Sequence, residues 1–320
     1  MAGLNSISQG RYDMRTVHVL LSTYNGERFL EEQLNSLLEQ ELQLEIRVWV
    51  RDDGSSDGTL GILRRFENEY VGKFHVDAGH NIGVVRSFFH LLEETPEEGY
   101  FAFCDQDDIW NRDKLARAIT KLETVPEDEP AMYCSRTELI DKAGRHLGYW
   151  PPIPRREPAF ENALIENIAV GCTIVLNGAA KRLISGALPD PDRVIMHDWW
   201  AYLCVSAFGQ VIYDPQPSIR YRQHGSNAVG GTNRFIRKWR MKYANFRRNR
   251  RKFKLRAQAA EFDRLFGAKL PAGYRRVLND FLEPRASLAS RIRYAFSTKL
   301  YRQTPLDNLL FRILYVLKYI

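Results

Sequence analysis

Between residues 16 and 104 the chain alternates short, β-branched apolar runs with stretches of helical periodicity, and each run stops at a polar cluster. VHVLLS (residues 17–22) is a continuous apolar run closed by turn chemistry, which predicts a buried strand. Leu30, Leu34, Leu37 and Leu38 then recur at i, i+4, i+7 and i+8, one face of an amphipathic helix. IRVWV (46–50) predicts a second strand, followed by the turn-rich DDGSSDGT and a helix through Leu60, Leu63 and Phe66. KFHV (73–76), a helix around Phe88, Phe89, Leu91 and Leu92, and YFAFC (100–104) continue the pattern. Strand and helix in repeated alternation predict an α/β fold, a mostly parallel sheet with helices on both faces.

Such a sheet binds its ligand outside the carboxyl ends of its strands. There the sequence places STYN, RDDGSSDGT, AGHNIG and DQDD, one after each strand. Four such clusters on one rim exceed ordinary loop polarity. Beyond Lys114 the order is less regular: AMYCS (131–135) and CTIVL (172–176) read as strands, and GYWPPIPRREP as a Pro-rich loop bordering a pocket. MHDWWAYLCVSAF begins a helix with Asp198 near its start, and VIYDPQPSIRYRQHGSN reads as strand, turn and strand.

Carboxylates two residues apart on extended backbone point the same way, so Asp105 and Asp107 can share one hard divalent cation with a diphosphate. Asp108 fits either that site or a helix cap. Asp52 and Asp53 end the second strand, where a carboxylate can accept the N3 hydrogen of a uracil or thymine ring or simply close a turn. In STYN, Thr23 and Tyr24, with Asn25, can meet a base, ribose or phosphate. Asn81 and Gly83 permit close backbone approach, and Arg86 can face a phosphate or stay on the surface.

Composition removes several classes. With 44% hydrophobic and 27% charged residues over 320 positions, disorder and a disulfide-stapled miniprotein are excluded. Cys104, Cys134, Cys172 and Cys204 form no C-x-x-C pair, so neither a zinc knuckle nor a redox dithiol is signalled, and a reducing cytosol is expected. The first fifteen residues lack the apolar core of a secretory signal, and no uncharged apolar run approaches the ~20 residues that span a bilayer.

TYNGERFLEEQLNSLLEQ, VRDDGSSDGT, NIGVVRSFF and FCDQDDIW, continued by GCTIVLN, HDWWAYL and YRQHGSN, resemble family 2 glycosyltransferases of the GT-A fold, most nearly bacterial polysaccharide rhamnosyltransferases. The resemblance covers residues 16–230, with a nucleotide-binding half (16–110) and an acceptor half (111–230); residues 1–15 form an extension. It implies transfer of a sugar from a nucleoside diphosphate, with inversion, to an acceptor hydroxyl. The family's D-x-D falls on Asp105 and Asp107, its catalytic acid falls on Asp198, and Gln106 and Asn25 lie in the nucleotide-sugar motifs. His224 is then a candidate for the Mg2+ or Mn2+ site or a structural residue, and His197, Trp199 and Trp200 face the acceptor, although adjacent helical residues diverge by about 100°, which puts one tryptophan in the core. A departure is Ser22, where many members have Pro.

Residues 232–256 hold twelve Lys and Arg and no acid, so the rest of the chain sums to −5 against the whole chain's +7. Interleaved aromatics suit nucleic acid or an anionic bilayer face. On a helix over the last residues, Leu309, Leu310, Ile313, Leu314, Val316, Leu317 and Ile320 share one sector, which suits a membrane interface, packing on the body or a homo-oligomer contact. The expectation is a helical, basic region (231–320) that holds the enzyme on the inner face of the bacterial cytoplasmic membrane, beside a lipid-linked glycan acceptor. The expected donor is dTDP-rhamnose, with UDP-galactose, UDP-glucose or a UDP-amino sugar as rivals. A nucleic-acid-binding protein, which leaves the four strand-end clusters unexplained, and a non-catalytic sugar-nucleotide scaffold are the rivals of another class.

Overall fold

The computed structural model describes residues 16–223 and 254–320. Strands β1 (Thr16–Thr23), β2 (Glu45–Asp52), β3 (Phe74–Ala78) and β4 (Tyr100–Cys104) alternate with helices α1 (Leu30–Leu38), α2 (Thr59–Glu69) and α3 (Val84–Glu94). They pair in parallel in the order β3-β2-β1-β4. The alternation in the sequence therefore becomes the expected parallel half-sheet: β1 and β2 extend one or two residues beyond each end of their apolar runs, β3 begins one residue later and ends two later than KFHV, and β4 matches its run.

The period-two geometry of the strands divides the core into two layers. Leu20, Phe101, Phe103, Met132 and Leu176 face one layer, with Phe88 and Phe89 of α3 and the helices that follow later in the chain. Val17, Val19, Leu21, Val48, Ala102 and Tyr133 face the other, against Leu34 and Leu37 of α1, Leu63 of α2 and Leu115 and Ile119 of α4 (Lys114–Leu122). A strand covered on both faces is apolar at nearly every position, which is why β1 reads as an apolar run interrupted at His18, whose buried ring accepts the Trp49 Nε1–H at 2.9 Å.

The second half mixes directions. After the two-residue β5 (Ile109–Trp110), β6 (Ala131–Ile140) pairs antiparallel with β7 (His146–Trp150) and β8 (Val175–Leu176), and β8 pairs antiparallel with β4. The stretch expected to be strand, turn and strand is a single strand, β9 (Gln210–Arg222), parallel to β6. Its register jumps between Asp214 and Ile219, where Pro215 and Pro217 can donate no ladder hydrogen bond and the extra residues bulge out. Likewise CTIVL is a short 3-10 turn, Gly171–Thr173, before β8.

Helices α5 (Phe160–Ala163), α6 (Gly178–Ser185) and α7 (His197–Phe208) precede β9, and α8 (Lys254–Phe266), α9 (Ala272–Leu282), α10 (Leu288–Ser297) and α11 (Pro305–Val316) end the chain. α8 shares a core with α7: Trp200 meets Phe262 edge-on at 5.9 Å. Buried Gln258 and Glu261 accept the backbone N–H groups of Ile195 and Asp190, which fixes the loop leading into α7.

Candidate active site

A cleft of about 270 Å³ opens outside the carboxyl ends of β1, β2 and β4, lined by Tyr24, Asp53, Asn81, Gly83, Asp105, Gln106 and Asp107 together with Ser22, Val84 and Tyr221. A larger cavity, about 360 Å³, lies at the opposite rim against Tyr100, Glu123 and Arg182, and none of the candidate residues lines it. Strand direction decides between them: helix-flanked parallel strands put their loops and free N–H groups at the carboxyl end.

Of the candidates, Tyr24, Asp53, Asn81, Gly83, Asp105, Gln106 and Asp107 line the cleft, whereas Thr23, Asn25, Asp52 and Asp198 do not. Asp52 is buried and accepts from Thr23 Oγ1 (2.9 Å), Ser55 Oγ (2.6 Å) and Ser55 N (3.0 Å), so the two side chains tie the ends of β1 and β2 together. Asn25 has φ 48°, in the left-handed region that Asn tolerates, and its Oδ1 accepts Ser56 N at 2.8 Å. The Gln106 amide clasps Tyr24 in both directions: Oε1 accepts Tyr24 N (2.8 Å) and Nε2 donates to Tyr24 O (3.1 Å). A Cβ on Gly26 would stand 2.3 Å from that Oε1. Tyr24 itself is half exposed on the rim.

Asp53 accepts Ile82 N (2.8 Å) and Gly83 N (2.9 Å) and faces the buried Arg51 guanidinium at 3.8 Å. Gly83, at φ 85°, is a position where glycine is favoured. Asn81 is exposed at the cleft edge. Arg86 pairs with Asp192 at 2.7 Å on the surface and does not line the cleft.

The acids carry the electrostatics. Burial first, then the charges of Asp107 and Asp198, lift the Asp105 carboxyl to about 7, while contact with Cys172 opposes the rise. Burial also lifts Asp198 to about 7, against the Trp199 N–H (2.6 Å), the Asn167 side chain and the Gly171 backbone. Asp198 occupies the first turn of α7, packed against Gly171, whose added Cβ would lie 3.3 Å from its Oδ2. The charges of Asp107 and Asp198 thus both reach Asp105.

Asp108 is fully buried; its Oδ1 accepts Arg222 N at 3.0 Å and its Oδ2 has no hydrogen-bond partner. Arg222 also donates to Asp107 O (3.1 Å) and reaches Glu32 (2.5 Å), pinning the acidic loop to the end of β9. Beneath the loop, Lys114 donates to Cys172 O at 2.9 Å, and burial lowers its ammonium to about 7 against the pull of neighbouring thiols and acids. Asp105, Asp108 and Cys172 each place a ligand atom within 4.8 Å of the others. Burial holds the Cys172 thiol well above its usual range, so at neutral pH it is a protonated neighbour, and the donors suited to a hard cation are the carboxylate oxygens. Cys172, Lys114 and Gly171 were not singled out from sequence. The GCT triplet was visible, but neither cysteine spacing nor periodicity gave it a role.

The remaining candidates separate. His197 is buried, stacked on Phe88 at 3.8 Å and edge-on to Phe103, with neither ring nitrogen bonded; burial lowers it to about 3, which keeps the ring neutral. Trp200 is fully buried in the core, whereas Trp199 is half-buried and donates to Ala163 O at 2.6 Å. His224 and residues 1–15 lie outside the described residues, as does most of the basic stretch.

Comparison with known proteins gives the geometry its context. The sequence profile described as Glycosyl transferase family 2 matches residues 18–177. The chain is 30% identical over 235 residues to a Shigella flexneri protein named dTDP-rhamnosyl transferase RfbG, covering 69% of this chain and 77% of that one. It is 28% identical over 162 residues to the putative teichuronic acid biosynthesis glycosyltransferase TuaG of Bacillus subtilis, covering 50% and 61%. Among solved structures it superposes on S. aureus TarS in complex with UDP, with a TM-score of 0.57 at 16% identity over 95% of this chain and 80% of that one. The fold is therefore that of GT-A glycosyltransferases, and the chain belongs to glycosyl transferase family 2.

Proposed function

We propose that this glycosyltransferase is inverting and metal-dependent, and that it moves L-rhamnose from dTDP-rhamnose to a lipid-linked saccharide acceptor during bacterial surface-polysaccharide assembly, at the inner face of the cytoplasmic membrane. The observation that carries the reading is the cleft at the carboxyl ends of β1, β2 and β4, with Asp105 and Asp107 in its lining; the charge of Asp198 reaches Asp105. The choice of donor rests on the resemblance to the S. flexneri rhamnosyl transferase.

Asp105 and Asp107 are the residues that would hold Mg2+ or Mn2+, since both line the cleft from which a diphosphate arrives, whereas Asp108 is closed off beneath and engaged by Arg222. When bound, such an ion neutralises charge on the departing diphosphate. Tyr24 offers a ring to the base, and the Asp53 carboxylate, held by Ile82 N and Gly83 N, presents its remaining lone pairs to the pyrimidine N3–H. The acceptor oxygen attacks the anomeric carbon and passes its proton to Asp198; the bond from that carbon to the diphosphate breaks, and its electron pair leaves with the diphosphate. A carboxylate whose proton leaves near pH 7 is matched to that work.

The test is nucleoside diphosphate release from dTDP-rhamnose, UDP-galactose, UDP-glucose and a UDP-amino sugar, with Mg2+ or Mn2+, with and without acceptor glycolipid. Acceptor-stimulated release from dTDP-rhamnose is expected. Release from a UDP-sugar instead replaces the donor, and no release from any of them removes the proposal.

A further inference from the structure

Two helices at the end of the chain leave their aliphatic sides uncovered. Leu288, Ile292 and Phe296 of α10, and Leu306, Leu309, Ile313 and Leu317 along α11, are between 41% and 78% exposed. Their spacing of three or four residues makes one stripe on each helix. The opposite sides are closed: Tyr294 and Tyr315 pack ring to ring at 4.7 Å, and Ala295 and Phe311 are buried. These residues are seven of the thirteen exposed large apolar side chains among the described residues, gathered within thirty positions where an even scatter would leave one or two. Isolated exposed apolar residues need no explanation, but a gathered face does.

Against the same hairpin lies a cavity of about 230 Å³ lined by Arg256, Arg285, Arg291 and Lys318, with Tyr315, Pro284 and Ile320 and no acid. Arg256 and Arg285 are anchored through Leu282 O, Asp280 O and the Tyr315 hydroxyl, and Arg285 also pairs with the exposed Glu283 at 2.7 Å, so the unpaired positive charge of the cavity comes from Arg256, Arg291 and Lys318. Arg291 has a buried Nε without a partner, and Lys318 is exposed. Residues 285–320 contain seven Lys and Arg against one acid, Asp307; with the twelve cations of residues 232–256, they leave −11 on the rest of the chain. Positive charge and uncovered apolar surface therefore coincide at one end of the sequence.

We infer that the α10–α11 hairpin is a docking face for an anionic phospholipid leaflet, its aliphatic stripes entering the interface and the Arg256, Arg285, Arg291 and Lys318 cavity receiving a lipid phosphate. A second copy is disfavoured by charge, because a symmetric contact sets each cationic hairpin against another, whereas an anionic leaflet brings the opposite sign together with an apolar layer. No helix among the described residues is long and apolar enough to cross a membrane, so this face lies in the interface without spanning it. The inference deepens the proposed function, since a lipid-linked acceptor resides in that leaflet.

The test is flotation of the full chain with vesicles of phosphatidylcholine alone or mixed with phosphatidylglycerol. The wild type should float only with the anionic vesicles. Leu309→Ser with Ile313→Ser, both on the exposed stripe, should lower partition at least about tenfold, and Arg291→Gln or Lys318→Gln about fivefold each, while dTDP binding by every variant stays as in wild type. Equal flotation with both vesicles, or unchanged flotation of the variants, overturns the inference. So does a wild-type dimer in light scattering that Leu309→Ser with Ile313→Ser converts to monomer without altering flotation. Flotation needs neither donor nor turnover, so its failure leaves the transferase reading standing; conversely, a chain that floats but releases no nucleoside diphosphate refutes only the transferase.

Discussion

Replacing Asp198 by Asn separates the two roles that an acid at the start of α7 can have. The amide keeps an oxygen to accept the Trp199 N–H, so a residue that only caps the helix is replaced almost without loss. A base is not. Removing a positioned base costs about 10²- to 10⁴-fold in turnover, whereas nucleotide affinity, which does not involve Asp198, should stay within about twofold. Stability should move the other way. A carboxyl lifted from 3.8 to about 7 carries a penalty of about 4 kcal/mol once ionised. Because the folded value is the higher one, the penalty is absent below pH 3.8, grows as pH rises and is complete above about 7. Asp198→Asn should therefore raise the melting temperature by several degrees at pH 8 and much less at pH 5. The assays are nucleoside diphosphate release across pH 5.5 to 8.5, calorimetry with dTDP, and thermal melts at both pH values. Wild-type turnover should climb through about pH 7, and residual turnover of the variant should lose that limb. A variant with full activity and the same pH profile refutes the assignment, whatever its stability.

Three further outcomes follow from the site. Asp105→Asn removes one of the two acids proposed to hold the ion, and should cost at least about a hundredfold in turnover and abolish the thermal stabilisation that Mn2+ should give the wild type in scanning fluorimetry. Lys114→Met removes the buried amine that donates to Cys172 O, leaves that acceptor unpaired and should destabilise the metal-free chain by about 2 kcal/mol in urea melts; an unchanged midpoint contradicts that role. Gly26→Ala drives a Cβ into the Gln106 amide and releases its grip on Tyr24, which should raise KM for the donor about tenfold with little change in kcat, and adding Gln106→Ala should then have no further effect.

The parallel half of the sheet was legible because strands covered on both faces, such as β1 and β4, cannot hide their apolar runs, and turn residues mark their ends. The rim clusters were legible for the same reason. What each polar side chain does there was not. Asn25, Asp52 and Gln106 read as ligand-facing, yet each spends its hydrogen bonds on a neighbouring loop, in the case of Gln106 one 82 residues away. His197 beside Asp198 resembles a catalytic pair, but Phe88 and Phe103 enclose its ring, a contact set only when α3, β4 and α7 pack together. Lys114 drew no role from the sequence, because burial beneath the acidic loop leaves no trace in periodicity. At the end of the chain the aliphatic sector was visible, but only the packing of Phe311 and Tyr315 showed which side of α11 turns inward.

The proposed transfer depends on acids at the strand ends holding a diphosphate through a divalent cation. Titrating dTDP into the chain by calorimetry, with Mn2+ present and with Mn2+ removed by EDTA, tests it directly. Binding should require Mn2+ in the wild type and be lost in Asp105→Asn. Binding of equal strength with and without the ion would contradict it.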